Sequence, residues 1–223
     1  MGKPVDWCQL VDCSPHAEEN VLAAALYRFG GMDYSSAYAA VSSLDGPARA
    51  RLASGLLGKL GRFDTPLREL EYATYTFDLT VDQGGYFEIK RHRMMTQTPQ
   101  ALTARLGYAI PRRIEAAGLL TPYQAAMDAA GEFYDQLAAF NPHTASYVVP
   151  NGFHRRVLIS MNLRSAFHFC QLRSAANAHF SVRRAAQRMA DEIRRVTPGL
   201  AAFMDVNPAE TWLGIEQQYF VRP

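Results

Sequence analysis

Lysine is almost missing from this sequence. Lys3, Lys59 and Lys90 are its only examples, although lysine and arginine together number 23, so nearly every cation is a guanidinium. Arginine grips phosphates and flat rings through a planar fork, which suits nucleotide ligands; a skewed genomic composition produces the same bias. The 21 acidic residues leave a formal charge of +2, so bulk charge gives no ground for nucleic-acid binding. Cysteine is equally scarce. Cys8, Cys13 and Cys170 are odd in number and stand at no metal-ligand spacing, so no metal centre is predicted. No stretch is apolar enough to span a bilayer, and Met1–Leu10 carries Asp6 and lacks the apolar core of a secretory leader. The expected setting is a reducing one, the cytoplasm, with no membrane partner.

What is present is the composition of a globular domain, with 48% apolar and 20% charged residues. The 223 residues can bury one sizeable core, and with no repeat, linker or low-complexity tract a single domain over 1–223 is expected. Val21, Leu22, Ala25, Leu26 and Phe29 have helical spacing within Glu18–Phe29, after Ser14-Pro15 and before Gly30-Gly31. Further helices are predicted over Ser35–Ser43 and Pro47–Leu60, the second stopped by Gly61. From Tyr72 to Val81 the period changes to two, with Ala73, Tyr75, Phe77, Leu79 and Val81 on one face of a half-buried strand. Gln83-Gly84-Gly85 reads as a turn and Tyr86–Lys90 as a second extended segment; Arg91–Gln100 is aperiodic and broken at Pro99. Pro122–Phe140 is a long helix ended by Asn141-Pro142, and Tyr147–Pro150 is short and extended. Val157–Met161 leads into Asn162, a good N-cap, and two helices follow, Leu163–Arg173 and Ala178–Arg195. In the last, Val182, Ala185, Ala186, Met189 and Ile193 face inward, while Arg183, Arg184, Arg188, Arg194 and Arg195 read as a solvated face. The order predicts an α+β domain.

Two groups of residues carry chemistry. In Arg91-His92-Arg93, placed at the end of a strand, two guanidinia flank an imidazole and can clamp a diphosphate or a flavin edge; three basic residues in a row are also common on surfaces. Arg164, His168 and Gln171, at i, i+4 and i+7, line one helix face, and Arg173 lies about half a turn round from Arg164. Leu163, Phe167, Phe169 and Leu172 make that helix apolar enough to bury. Guanidinia on both sides of it then each require a ligand or a counter-charge, so the cluster is a ligand site or an internal salt-bridge network. Other features have plainer readings. Asp33-Tyr34 and Tyr38 fit helix packing, Cys170 a small core residue, and His154-Arg155-Arg156 a surface loop.

Thr65-Pro66, Tyr75-Thr76-Phe77, Arg91-His92-Arg93, Asn162-x-Arg164-Ser165, Leu172-Arg173 and Ala178-His179-Phe180 occur in one order and spacing. From about Val11 to Phe203 the chain thereby resembles the flavin-dependent thymidylate synthases. The resemblance implies an antiparallel sheet packed with long helices, and a homotetramer with active sites between subunits. It implies FAD as cofactor, with methylenetetrahydrofolate as carbon donor and NADPH as reductant, acting on C5 of a uridine nucleotide. It assigns Thr65, Arg91, His92, Arg93, Asn162, Arg164 and His168 to FAD, His168 standing where Asn is usual. It assigns Arg173 to the pyrimidine, where a cation favours the ring anion and makes C5 a better nucleophile. His179 matches a position near the flavin, or is a core histidine.

The nucleotide half departs from that pattern. The loop after Arg93 reads MMTQTPQA, so Ala101 takes the place of the family's acidic residue if the loop is two residues longer than usual. In that register Thr103-x-Arg105 supplies the hydroxyl and guanidinium, beside Gln100. Glu88 replaces a glutamine, and Ser146 stands at the phosphate-binding arginine, a loss that His154-Arg155-Arg156 could make good. Glu88 can accept a hydrogen bond from a ribose 2′-hydroxyl, so UMP is expected ahead of dUMP, as in the branch of the family that methylates UMP in nucleoside-antibiotic biosynthesis. The alternative is a non-catalytic paralogue that binds FAD or nucleotide, or a structural subunit.

Overall fold

The alternation from Ala73 to Val81 puts Tyr75, Phe77 and Leu79 wholly out of solvent and makes that strand the centre of the molecule. The computed structural model describes residues 6–61 and 63–223. Residues 1–5, half of the Met1–Leu10 stretch, therefore lie outside the described residues. The chain runs β1 (Cys8–Cys13), α1 (Ala17–Gly30), α2 (Tyr34–Ser43), α3 (Gly46–Leu57), a 3₁₀ turn (Arg68–Tyr72), β2 (Thr74–Asp82), α4 (Gln83–Ile89) and β3 (Thr96–Pro99). It continues through β4 (Ile110–Pro111), α5 (Arg112–Ala116), α6 (Leu120–Phe140), α7 (Pro142–Ala145), a 3₁₀ turn (Ser146–Val148) and β5 (His154–Asn162). It closes with α8 (Leu163–Arg173), α9 (Phe180–Val196), α10 (Pro198–Ala201), α11 (Trp212–Tyr219) and β6 (Phe220–Arg222).

Four strands pair antiparallel in the order β1-β2-β5-β3, and β4 pairs with β6. One face of the large sheet carries Tyr75, Phe77, Val157 and Ile159 into a core shared with α1, α8 and α9. The inward residues expected on α9 are all fully buried there. A second cluster, around Tyr108, Met127, Tyr134 and Phe153, joins α6 to the loop before β4. The fold is thus α+β, antiparallel sheet against long helices. Among the described residues no helix is long and apolar enough to cross a membrane.

Several local readings are corrected. The glycine pair at 84 and 85 does not turn: Asp82 Oδ1 accepts from Gly85 N at 2.8 Å and starts α4, so Tyr86–Ile89 is helical. Packing favours glycine at 85, since a Cβ would lie 3.0 Å from Val81 and 3.1 Å from Ser181 and the neighbours would have to give way. Arg91-His92-Arg93 therefore follows a helix rather than a strand. The run after it is not aperiodic throughout, because Thr96–Pro99 adds to the sheet as an edge strand, the place where proline costs no ladder bond. Residues 146–148 form a 3₁₀ turn instead of an extended segment, and α3 stops at Gly58 rather than Gly61. His154-Arg155-Arg156 opens β5 and is no loop. On α9, Arg183 and Arg184 are buried instead of solvated.

Asn162 ends β5 and caps α8, its Oδ1 accepting from Ser165 N at 2.8 Å. Asn162→Ala should cost about 1 kcal/mol in urea denaturation. A change of only a few tenths would mean that packing alone holds the start of this helix.

Candidate active site

The cap at Asn162 sets the rotation of α8 and so aims its polar residues. Phe167 and Phe169 are buried, whereas Leu172 is 45% exposed, which leaves the C-terminal end of the helix open beside Arg173. Arg164, His168 and Gln171 line a cavity of about 470 Å³ together with Thr65, Pro66, Glu71, Met94 and Phe167. Arg164 donates from Nε to the Pro66 carbonyl at 3.0 Å and from Nη1 to Glu71 at 2.8 Å. Glu71 also receives Arg68 at 3.2 Å, and these two cations, Arg68 first, hold its carboxyl below the usual range. Asp64 and Asp205 face the same space. The three carboxylates around this one guanidinium repel phosphate and accept hydrogen bonds from hydroxyl and amino groups.

Arg173 leaves the opposite side of α8 and meets the end of α4. Its Nε donates to His92 Nε2 at 2.6 Å and its Nη1 to Glu88 at 3.2 Å. An imidazole can accept that bond only when neutral. Burial, then the neighbouring Arg173 and His168, push the His92 pKa down to about 4 and keep it so. The His92 ring stands edge-on to Phe169 at 5.0 Å and lies 5.9 Å from His168, which links this cluster to the cavity. Sequence order alone could not show that His92, Glu88 and Arg173 touch. The salt-bridge alternative is also present: both arginines of α8 have internal carboxylate partners.

The remaining candidates lie apart from these groups. Arg91 and Arg93 are exposed, and their side chains make no hydrogen bond or ion pair with the described residues. Gln100 follows β3 and extends its pairing with β5, its backbone N–H donating to the Arg156 carbonyl at 2.9 Å. Thr103 Oγ1 accepts from the Arg105 N–H at 3.3 Å, and Arg105 lies 3.8 Å from Asp135 on α6. Ser146 donates to the His143 carbonyl at 2.7 Å. Arg155 donates to the Gln100 carbonyl and to Gln83, and Arg156 pairs with Asp78 at 3.1 Å. His179 is exposed and caps α9 through Ser181 N, so it is not a core histidine. Cys170 is a core residue, its thiol pushed up to about 12 by burial. Among the described residues no group of three His, Cys, Asp or Glu could hold a metal ion.

Two residues escaped the sequence reading. Glu71, the partner of Arg164, sits in a 3₁₀ turn with no periodic signal. Gln97 donates from Nε2 to the carbonyls of Ile89 at 3.2 Å and His92 at 3.1 Å, tying β3 to the end of α4. The proline two residues on had disguised its strand.

The fold is α+β, with a cavity of about 470 Å³ on one side of α8 and a clamped guanidinium, Arg173, on the other. The family model for "Thymidylate synthase complementing protein" (Thy1) matches residues 9–199, and the chain belongs to that family. A "UPF0159 protein" of Chlamydia muridarum is 39% identical over 148 residues, which cover 66% of this chain and 28% of that protein. A "Flavin-dependent thymidylate synthase" of Sulfolobus acidocaldarius is 30% identical over 148 residues, 62% of this chain and 56% of that protein. The chain thus spans only part of the length of these relatives. The solved structure of PolB, a UMP/dUMP methylase from Streptomyces cacaoi bound with 5-Br dUMP, superposes with a TM-score of 0.68. It is 20% identical and the match covers 90% of this chain and 97% of PolB, which establishes the shared fold.

Proposed function

We propose that this chain is a flavin-dependent uridylate C5-methylase, with UMP favoured over dUMP, methylenetetrahydrofolate as carbon donor and NADPH as reductant. The observation that carries the reading is Arg173, held by His92 and Glu88 at the open end of α8. A fixed cation there stabilises the pyrimidine anion and raises the nucleophilicity of C5. Over the whole reaction C5 loses a proton and gains a methylene and a hydride. FAD, when bound, supplies that hydride. The resident side chains fit it in two parts. Thr65, Arg164 and His168 line a cavity within the usual range for cofactor sites, whose carboxylates suit hydroxyl and amino groups. Arg91 and Arg93, exposed and without an ion pair among the described residues, suit its diphosphate. His92 and Asn162 would complete the set. Gln100, Thr103, Arg105 and Ser146, whose contacts are with residues other than Arg173, would reach the nucleotide from a neighbouring subunit of a homotetramer. The relatives, a flavin-dependent thymidylate synthase and a UMP/dUMP methylase, support the same reaction class.

Glu88 uses Oε2 on Arg173, and its second oxygen can accept a ribose 2′-hydroxyl. The test is to incubate FAD-loaded protein with methylenetetrahydrofolate, NADPH and either nucleotide. 5-Methyluridylate should form faster from UMP, and Glu88→Gln should cut the UMP/dUMP preference by roughly 5- to 10-fold. Product from neither nucleotide would sink the reading. It would favour a non-catalytic paralogue that binds FAD or nucleotide, which the internal pairing of Arg164 with Glu71 and Arg173 with Glu88 would also suit.

A further inference from the structure

We propose that His92 is a positioning residue for Arg173, and that Gln97 on β3 fixes His92 in that role. The inference rests on the uridylate reading of Arg173. A guanidinium has five N–H donors. His92 takes the Nε one and Glu88 takes one on Nη1, which leaves three directed away from α4. A single ion pair with Glu88 would leave the fork free to swing about that contact. The second bond, on a different nitrogen of the fork, removes that freedom and presents one edge to a planar ring. His92 can serve because it is held in turn. Its carbonyl and that of Ile89 both accept from Gln97 Nε2, and its ring rests against Phe169. A β3 side chain thereby determines where an arginine of α8 points. The ring nitrogen given to Arg173 is not available to a cofactor, which leaves Nδ1 as the His92 ring nitrogen that FAD could use.

The experiment measures UMP affinity by calorimetry and FAD affinity by flavin fluorescence on the full chain. His92→Leu should weaken UMP roughly 10-fold or more and FAD by less. His92→Gln, which keeps an acceptor, should recover most of the UMP affinity. Gln97→Leu should act in the same direction as His92→Leu. In an Arg173→Ala background His92→Leu should cost nothing further, because there is no guanidinium left to aim. Histidine NMR titration supplies a readout independent of nucleotide. Arg173→Met removes a cation that, after burial and together with His168, holds the His92 pKa down, so that pKa should rise from about 4. Persistence of the His92→Leu loss without Arg173, equal losses for Leu and Gln, or an unmoved His92 titration would overturn the proposal. If wild-type protein binds no UMP, the uridylate reading fails by itself, and the titration still decides whether His92 and Arg173 are joined.

Discussion

Arg173→Ala should lower kcat/KM for UMP by about two to three orders of magnitude. The argument is electrostatic. Arg173 has a side chain 19% exposed, so it acts in surroundings drier than water, and its two partners prepay its orientation. Removing it takes away the charge that favours the uracil anion and leaves Glu88 as an uncompensated anion where negative charge must develop. The loss should fall mainly on methyl transfer, with the yellow flavin spectrum retained, because the cavity around Thr65, Arg164 and His168 is untouched. Arg173→Lys should recover only part of the rate, since an ammonium is a point charge and cannot hold His92 and Glu88 while offering a flat edge. Steady-state rates with UMP and flavin absorbance check both statements. A yellow Arg173→Ala protein with unchanged UMP affinity would reject the role and favour the non-catalytic reading.

The sequence carried the core well because burial imposes a period. Tyr75, Phe77 and Leu79 on β2, and Val182, Ala185 and Met189 on α9, are spaced as buried faces must be, and all are fully buried. It carried segment identity poorly where one residue overrides composition. Gly84-Gly85 has the look of a turn, but the Asp82 cap and the close approach of Ser181 make it helix. Pro99 looks like a breaker, but a strand at the sheet edge tolerates it.

The site was legible as residue types and not as contacts. The requirement that α8's guanidinia find counter-charges followed from burying a helix with cations on two sides, and Glu71 and Glu88 meet it. Which carboxylates would do so depends on the 3₁₀ turn at Arg68–Tyr72 and on α4 being helical, neither of which periodicity reveals. The division of labour also shifts. His92 was grouped with Arg91 and Arg93 because they are adjacent in sequence, yet it turns inward to Arg173 while they stay in solvent.

Arginines 183 and 184 show the cost of the same ambiguity for stability. Counted by type, five arginines on α9 make a water-facing stripe, but the chain after α10 folds back and covers two of them. Arg183 is held by Glu210 through Nε at 2.9 Å and Nη2 at 3.1 Å, a fork-to-fork pair, and by the Ala178 carbonyl at 2.8 Å. Arg184 pairs with Glu216 at 2.7 Å and lies 3.7 Å over the Trp7 ring. Burial works against the charge on Arg184 and lowers its pKa from the ordinary value. A buried pair adds little against an apolar substitute, but losing one partner strands the other's charge. Glu210→Ala should therefore destabilise the fold by about 3 kcal/mol, the lower end of the range for a broken buried pair, because the Ala176 and Ala178 carbonyls still solvate Arg183 in part. The Arg183→Met, Glu210→Ala double variant should recover much of that loss by removing the stranded cation. Urea denaturation of the two variants decides the matter: a single variant within about 0.5 kcal/mol of wild type would put the segment after α10 among surface contacts rather than in the structural frame that holds α9 against the sheet.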